Sequence, residues 1–162
     1  MSPPKPLSPP KPLTPVHRIA GFDCGKPVLN RWLLERALAN QLSGDSRTYV
    51  VCAGRRVVGY YALATAAIER RAAPGRMRRE APDPIPAILL GRLAVDLRHA
   101  GRGIGSGLLK DAFLRARQVS SLVGARLMLL DALDDEARQF YLQRGFRPSP
   151  LDPLLLMHSL DW

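Results

Sequence analysis

Apolar and polar residues recur along this chain with two different periods, and each change of period marks an element. From Pro27 the stretch Val28-Leu29-Asn30-Arg31-Trp32-Leu33-Leu34-Glu35-Arg36-Ala37-Leu38 returns an apolar residue at helical spacing, which predicts an amphipathic helix with proline in its first turn. Arg47–Ala53 and Val57–Ala67 are rich in Val, Tyr and Ala and flank Gly54-Arg55-Arg56, the composition of a β-hairpin. A basic, proline-bearing loop runs from Glu69 to Pro86. Ile88–Val95 then reads as a strand, 103 to about 119 as a long helix, and Arg126–Ala132 as a buried strand. Asp134 or Asp135 is suited to cap a last helix through Arg144, and Gly145 to end it. A strand near 154–160 closes the chain. Helix, hairpin, loop, strand, helix, strand, helix, strand describes an α/β domain with a mixed sheet.

Ahead of this pattern, residues 2–13 spell Ser-Pro-Pro-Lys-Pro-Leu twice. Proline supplies no N–H and interrupts both helix and ladder, so 1–15 is expected to be an extended, mobile, disordered tail acting as a spacer. The remaining 16–162 is expected to be a single domain. A length of 162 residues with 46% hydrophobic content is enough for one substantial core. No apolar run reaches the roughly 18 residues that span a membrane, and the N-terminus has no apolar signal core. The expected address is therefore cytoplasmic, with no membrane partner. Cys24 and Cys52 lack metal-ligand spacing and no cluster forms with His17, His99 and His158; they read as packing residues, and no metal site is expected. The formal net charge of +10, from 24 basic against 14 acidic side chains, points to an anionic partner, although no helix-turn-helix, zinc-finger or RNA-binding aromatic signature accompanies it.

Chemistry concentrates where the third strand meets the long helix. Arg92 to Lys110 reads RLAVDLRHAGRGIGSGLLK, with Gly101, Gly103, Gly105 and Gly107 at alternate positions. Residues without a Cβ at a helix start expose N–H groups to an anion, and a pyrophosphate fits such a loop. The spacing matches neither G-x-G-x-x-G nor G-x-x-x-x-G-K-[ST]. It matches R-x-x-G-x-G, from Arg98 to Gly103. Here the chain resembles the acyl-CoA-binding loop of the GNAT superfamily of N-acetyltransferases. A second motif, A-x-x-F-Y-x-x-x-G-F from Ala137 to Phe146, is similar to the helix that carries that family's catalytic tyrosine, at the family's distance from the loop.

The resemblance implies the GNAT fold, a mixed central sheet with splayed strands flanked by helices, and acetyl-CoA as cosubstrate. It implies that main-chain groups of Leu93, Ala94 and Val95 hold the pantetheine arm and polarise the thioester carbonyl. The loop Arg98, His99, Ala100, Gly101, Arg102, Gly103, Ile104, Gly105 and Ser106 would take the pyrophosphate, and Asp134 stands where many members place a pantetheine-holding Asn. Tyr141 would be the general acid: a phenol with a pKa of about 10 can protonate a departing thiolate without being ionised at neutral pH.

The opening Ile19-Ala20-Gly21-Phe22-Asp23-Cys24-Gly25, followed by a helix and then Arg47-Thr48-Tyr49-Val50, resembles the TacT/AtaT-like acetyltransferase toxins of type II toxin–antitoxin modules. That resemblance covers 14–160. It implies acetylation of the amino acid on aminoacyl-tRNA, a block of translation, a ribbon-helix-helix antitoxin as partner, and a homodimer. No carboxylate stands out as a base: Glu69, Glu80 and Asp83 lie in the basic loop, and an α-amino acceptor titrates low enough to react without one. Arg70, Arg71, Arg76, Arg78 and Arg79 of that loop are candidates for tRNA phosphates, for an acidic antitoxin tail, or for plain solvation. Two other readings stay open: acetylation of a small amine or a protein amine, and a non-enzymatic CoA-fold module that binds nucleic acid.

Overall fold

The computed structural model describes residues 5–161. Its strands are β1 (Lys11–Pro12), β2 (Arg47–Ala53), β3 (Arg56–Ile68), β4 (Ile85–Val95), β5 (Leu127–Asp131), β6 (Arg147–Pro148) and β7 (Leu155–Ser159). They form one sheet in the order β1-β2-β3-β4-β5-β7-β6. The pairs β1–β2, β2–β3, β5–β7 and β6–β7 are antiparallel and β4–β5 is parallel, so the sheet is mixed, as the alternation of elements predicted. Register pairing of β4 with β5 runs from Ala87↔Leu127 to Leu89↔Leu129, while β4 itself continues to Val95. The helices are α1 (Pro27–Trp32), α2 (Leu38–Ser43), α3 (Gly75–Arg78), α4 (Ile104–Val123) and α5 (Asp135–Leu142), with a π-helical turn, Leu33–Ala37, joining α1 to α2.

The chain divides into two compact units. In the first, residues up to 64 together with 92–112, Leu13, Phe22, Leu33, Ala37, Val50, Cys52, Val57, Tyr60 and Ala94 make the core. The π turn serves this core by burying both Leu33 and Ala37. Gly59 lets the start of α4 sit close to β3: a Cβ there would lie 3.1 Å from both Ile104 Cγ2 and Leu108 Cδ1. Tyr61 Oη donates to Asp111 Oδ2 and fastens α4 one turn further on. In the second unit, 65–91 with 113–162, Ile68, Ala72, Ala73, Ala81, Ile85, Ala87, Leu127, Leu129 and Met157 form the core.

The expectation of a mobile tail over 1–15 is corrected for the residues that are described. Lys11 and Pro12 pair with Val50 and Tyr49, Leu7 bridges Ala53, and Leu13 is buried at 3% exposure. Leu13 N donates to Thr48 O at 2.9 Å, Ser8 N to Cys52 O at 2.9 Å, and Cys52 N to Ser8 Oγ at 3.1 Å. The physical reason is position. An edge strand uses only one side of its backbone for pairing, so proline can occupy sites whose missing N–H would have pointed outward. The first four residues of the tail lie outside the described residues.

Candidate active site

In the first unit, β4 leads through a short 3₁₀ turn, Leu97–His99, into the glycine loop and α4. Gly101 and Gly103 have φ of +77° and +76°, a left-handed backbone that side chains resist, and nothing lies within 4 Å of where a Cβ would stand on either. Both are exposed. The loop therefore presents bare backbone to solvent at the N-terminus of a 20-residue helix, where orphan N–H groups and the helix dipole favour an anion. A pyrophosphate fits this cradle. Leu93 and Val95 are half-buried and Ala94 is buried; Arg102 Nη1 lies 3.0 Å from His99 Nδ1.

Arg98 does something its motif position did not reveal. Its Nε and Nη2 donate to Asp96 Oδ1 and Oδ2, each at 3.0 Å, and Nη2 also reaches Gly21 O at 3.2 Å. Asp96, 1% exposed, further accepts from Arg98 N at 2.9 Å and Asp23 N at 3.2 Å. The Arg98 guanidinium beside it, with these backbone donors, holds the Asp96 carboxyl well below the usual carboxylate range against the opposing effect of burial. Asp23 continues the brace: Leu97 N donates to its carbonyl at 2.8 Å, and its Oδ1 accepts from Gly25 N at 2.8 Å and Asn30 Nδ2 at 2.9 Å. The coenzyme-type loop is thus fixed to the turn that precedes α1. The Arg98 side chain acts as a tie within the protein.

Arg92, one residue before Leu93, lies over Trp32 with Cζ 4.4 Å from the ring centroid. Trp32 in turn stacks on Tyr60 at 6.0 Å and 9°, and Tyr60 Oη donates to Leu29 O at 2.7 Å. Cys24 and Cys52 are free thiols whose pKa burial pushes up, consistent with packing positions.

In the second unit, α5 begins at Asp134, whose Oδ1 accepts from Ala137 N at 2.9 Å. The carboxylate is engaged as the helix cap expected at Asp134 or Asp135. Tyr141 is the buried residue of α5, 7% exposed, with its ring edge-on to Phe140 at 5.0 Å and Phe146 at 5.3 Å. Burial pushes its phenol well above the ordinary value, and only the charge of Arg144 pulls the other way. Arg144 itself is stacked on Phe140, Cζ 3.7 Å from the ring. Among the described residues no hydrogen bond engages the Tyr141 hydroxyl, so a proton-holding group stands ready at neutral pH.

The basic loop, also in the second unit, encloses an open cleft of about 530 Å³ lined by Glu69, Arg70, Arg71, Arg78 and Asp83. Its arginines divide into two sets. Arg71 Nε pairs with Glu69 Oε2 at 2.7 Å; Arg70 N donates to Asp83 Oδ1 at 3.0 Å, and its Nη1 reaches Ala81 O at 3.4 Å. Arg76, Arg78 and Arg79, on and just after α3, are exposed with no such partners among the described residues. Glu69 and Asp83, considered above as bases, are occupied by these contacts.

Sequence reasoning missed the Asp96–Arg98–Asp23 brace and the Arg92–Trp32–Tyr60 stack. One signal was available for the first: an acid two residues before R-x-x-G-x-G, directly after the apolar run of a strand. Among the described residues no group of three or more His, Cys, Asp or Glu could hold a metal ion, and no helix is long and apolar enough to cross a membrane.

With this geometry in hand, comparison with known proteins is specific. The acetyltransferase (GNAT) domain model matches residues 44–148. The tRNA-acetylating toxin of Mycobacterium tuberculosis is 51% identical over 139 residues, covering 86% of this chain and 84% of that protein. Among solved structures, a Tyr-to-Phe mutant of KacT superposes with a TM-score of 0.90 at 28% identity, covering 95% of both chains. AtaT complexed with acetyl-methionyl-tRNAfMet gives 0.88 at 30% identity, again over 95% of both.

Proposed function

The chain belongs to the GNAT acetyltransferase family, and on that premise we propose that it is an acetyl-CoA-dependent N-acetyltransferase toxin that modifies the amino group of aminoacyl-tRNA and thereby blocks translation. The observation that carries the acceptor is the 51% identical relative, a tRNA-acetylating toxin, together with AtaT solved with acetyl-methionyl-tRNAfMet. Charged tRNA as acceptor puts the work in the cytoplasm. A ribbon-helix-helix antitoxin and a homodimer belong to the same reading; AtaT is known in complex with the C-terminus of its antitoxin AtaR.

Acetyl-CoA supplies an acetyl group activated as a thioester. The backbone of 101–106 binds the pyrophosphate, and that of Leu93–Val95 holds the pantetheine arm, with one N–H directed at the carbonyl oxygen where charge develops. The neutral acceptor nitrogen forms a bond to the acetyl carbon as the carbon–sulfur bond breaks. Tyr141 Oη gives its proton to the sulfur, which keeps the bonding pair. The nitrogen releases one proton and Tyr141 regains one, so an amide and a free thiol result. Burial keeps Tyr141 protonated at neutral pH while making it a weaker acid, so its transfer rests on its placement against the sulfur. Asp134 would contact the pantetheine only with whatever acceptor capacity its capping bond leaves.

Mass spectrometry of aminoacyl-tRNA after incubation with protein and acetyl-CoA tests the reading. Acetylated aminoacyl adenosine is expected from the parent, and roughly 10²–10⁴-fold less from Tyr141→Phe, which keeps the ring and removes the hydroxyl. Equal product from both rejects the acid role; no product from any charged tRNA rejects the acceptor.

A further inference from the structure

The proposed reaction uses a neutral amine and no carboxylate stands out in the sequence as its base; the surroundings of Arg92 bear on how the amine is kept neutral. Side chains alternate along β4, so Arg92 shares a face with Ala94 and Asp96. Ala94 packs with Phe22, Leu33 and Tyr60, and Asp96 is bonded to Arg98 on both oxygens. Arg92 is half-buried, and among the described residues it makes no ion pair. The Tyr60 phenol of β3, which interacts with it, is neutral because burial pushes its pKa up. Desolvation lowers the guanidinium's own pKa, but arginine stays charged at any physiological pH. Stacking on Trp32, itself stacked on Tyr60, fixes this charge in place, where a free arginine would swing its head into water.

A half-buried cation without a counter-ion disfavours a second positive charge beside it. We propose that Arg92 is a positioning residue that selects the protonation state of the acceptor, its fixed positive charge disfavouring an ammonium ion beside Leu93–Val95 and so delivering the α-amine as neutral NH₂. This rests on the assignment of Leu93–Val95 to the thioester. It also defines the class of acceptor. An α-amino group, near pKa 8, loses its proton readily, whereas a lysine side chain, near 10.4, does not. Protein amines in cationic segments are therefore poor acceptors, and esterified amino acids good ones.

The test is the pH dependence of acetyl transfer to aminoacyl-tRNA. The profile of kcat/KM reports the free reactants and that of kcat reports the complex, so in the parent protein the acid limb of kcat is expected to lie below that of kcat/KM. In Arg92→Gln the kcat limb should move up by about one pH unit, which is a loss of about tenfold below the limb that shrinks as pH rises. Arg92→Lys, which keeps the charge, should keep the parent profile. Coincident limbs in the parent, or an Arg92→Gln deficit equal at every pH, would overturn the proposal while leaving the transferase reading intact. Absence of acetylated product with the parent protein would take both down together.

Discussion

Asp96 is the most heavily hydrogen-bonded side chain near the glycine loop, and its energetics have a sign that can be worked out. Its carboxyl titrates below the ordinary value because Arg98 and backbone N–H groups favour the charged form, and that of Asp23 does so because Gly25 N and the Asn30 amide donate to it. A group depressed on folding contributes stability above the unfolded pKa of about 3.9, and that contribution is lost as pH falls through the folded value. Stability should therefore decline below about pH 4, and Asp96→Asn should flatten that decline, measurable as urea midpoints across pH 2–7. An acid limb as steep in Asp96→Asn as in the parent would place the lost protonation elsewhere. This residue also shows where reading the sequence stopped. R-x-x-G-x-G located the loop, and its glycines have the open left-handed backbone expected of an anion cradle. The pattern could not show that Arg98 binds Asp96 and Gly21 O, because Gly21 lies 77 positions away.

Among the elements, strong periodicity was sufficient and weak periodicity was not. The hairpin, α4, β5, α5 and β7 were legible, since each has an uninterrupted apolar face or a cap such as Asp134. The start of β4 was not: Pro86 lies within the strand yet still accepts from Arg126 N through its carbonyl, and a proline in the pattern argued for loop. The two-residue β6 has too little sequence to carry a period, and 39–43 extends the first helical stretch without an apolar repeat until Gly44, at φ 84°. The docked tail is the largest departure, and it reverses what truncation should do. Removing 2–13 exposes the edge of β2 and deletes Leu13 from the core, where a buried leucine contributes about 1.5–3 kcal/mol. Calorimetry should show the melting temperature lowered by about 5 °C; an unchanged value would mean that the strap contributes nothing in solution.

For the molecule as a whole, the net charge of +10 acts at long range, and the structure separates the arginines that are already answered from those that are not. The Arg71 guanidinium is paired with Glu69 and that of Arg70 is turned to the Ala81 carbonyl, while Arg76, Arg78 and Arg79 are available to phosphates. Reversing the charge of these three is expected to weaken tRNA binding and to lower the slope of log affinity against log salt by about one for each phosphate no longer neutralised, with acetyl-CoA affinity unaffected. Filter binding over a salt series reads both. Normal tRNA binding with loss of the antitoxin would assign the loop to the partner instead. Nothing in the sequence distinguished the two sets of arginines, because their partners are set by how the loop from Glu69 to Asp83 folds back on itself.

The duplicated hexapeptide gives the edge strap an interchangeable register. Ser8 and Leu13, which hold the strap to Cys52 and Thr48, are the first and last residues of the second copy, and the first copy ends in Leu7. A slip by one whole repeat would bring Leu7 into the place of Leu13 and Ser2 into that of Ser8. Because the repeat is six residues long, an even number, such a slip keeps every side chain on its original face, whereas an odd shift would turn Leu13 out of the core. The strap therefore has a spare copy of itself. Loss of either repeat alone leaves one Ser-Pro-Pro-Lys-Pro-Leu to lie along β2, and only loss of both leaves that edge bare.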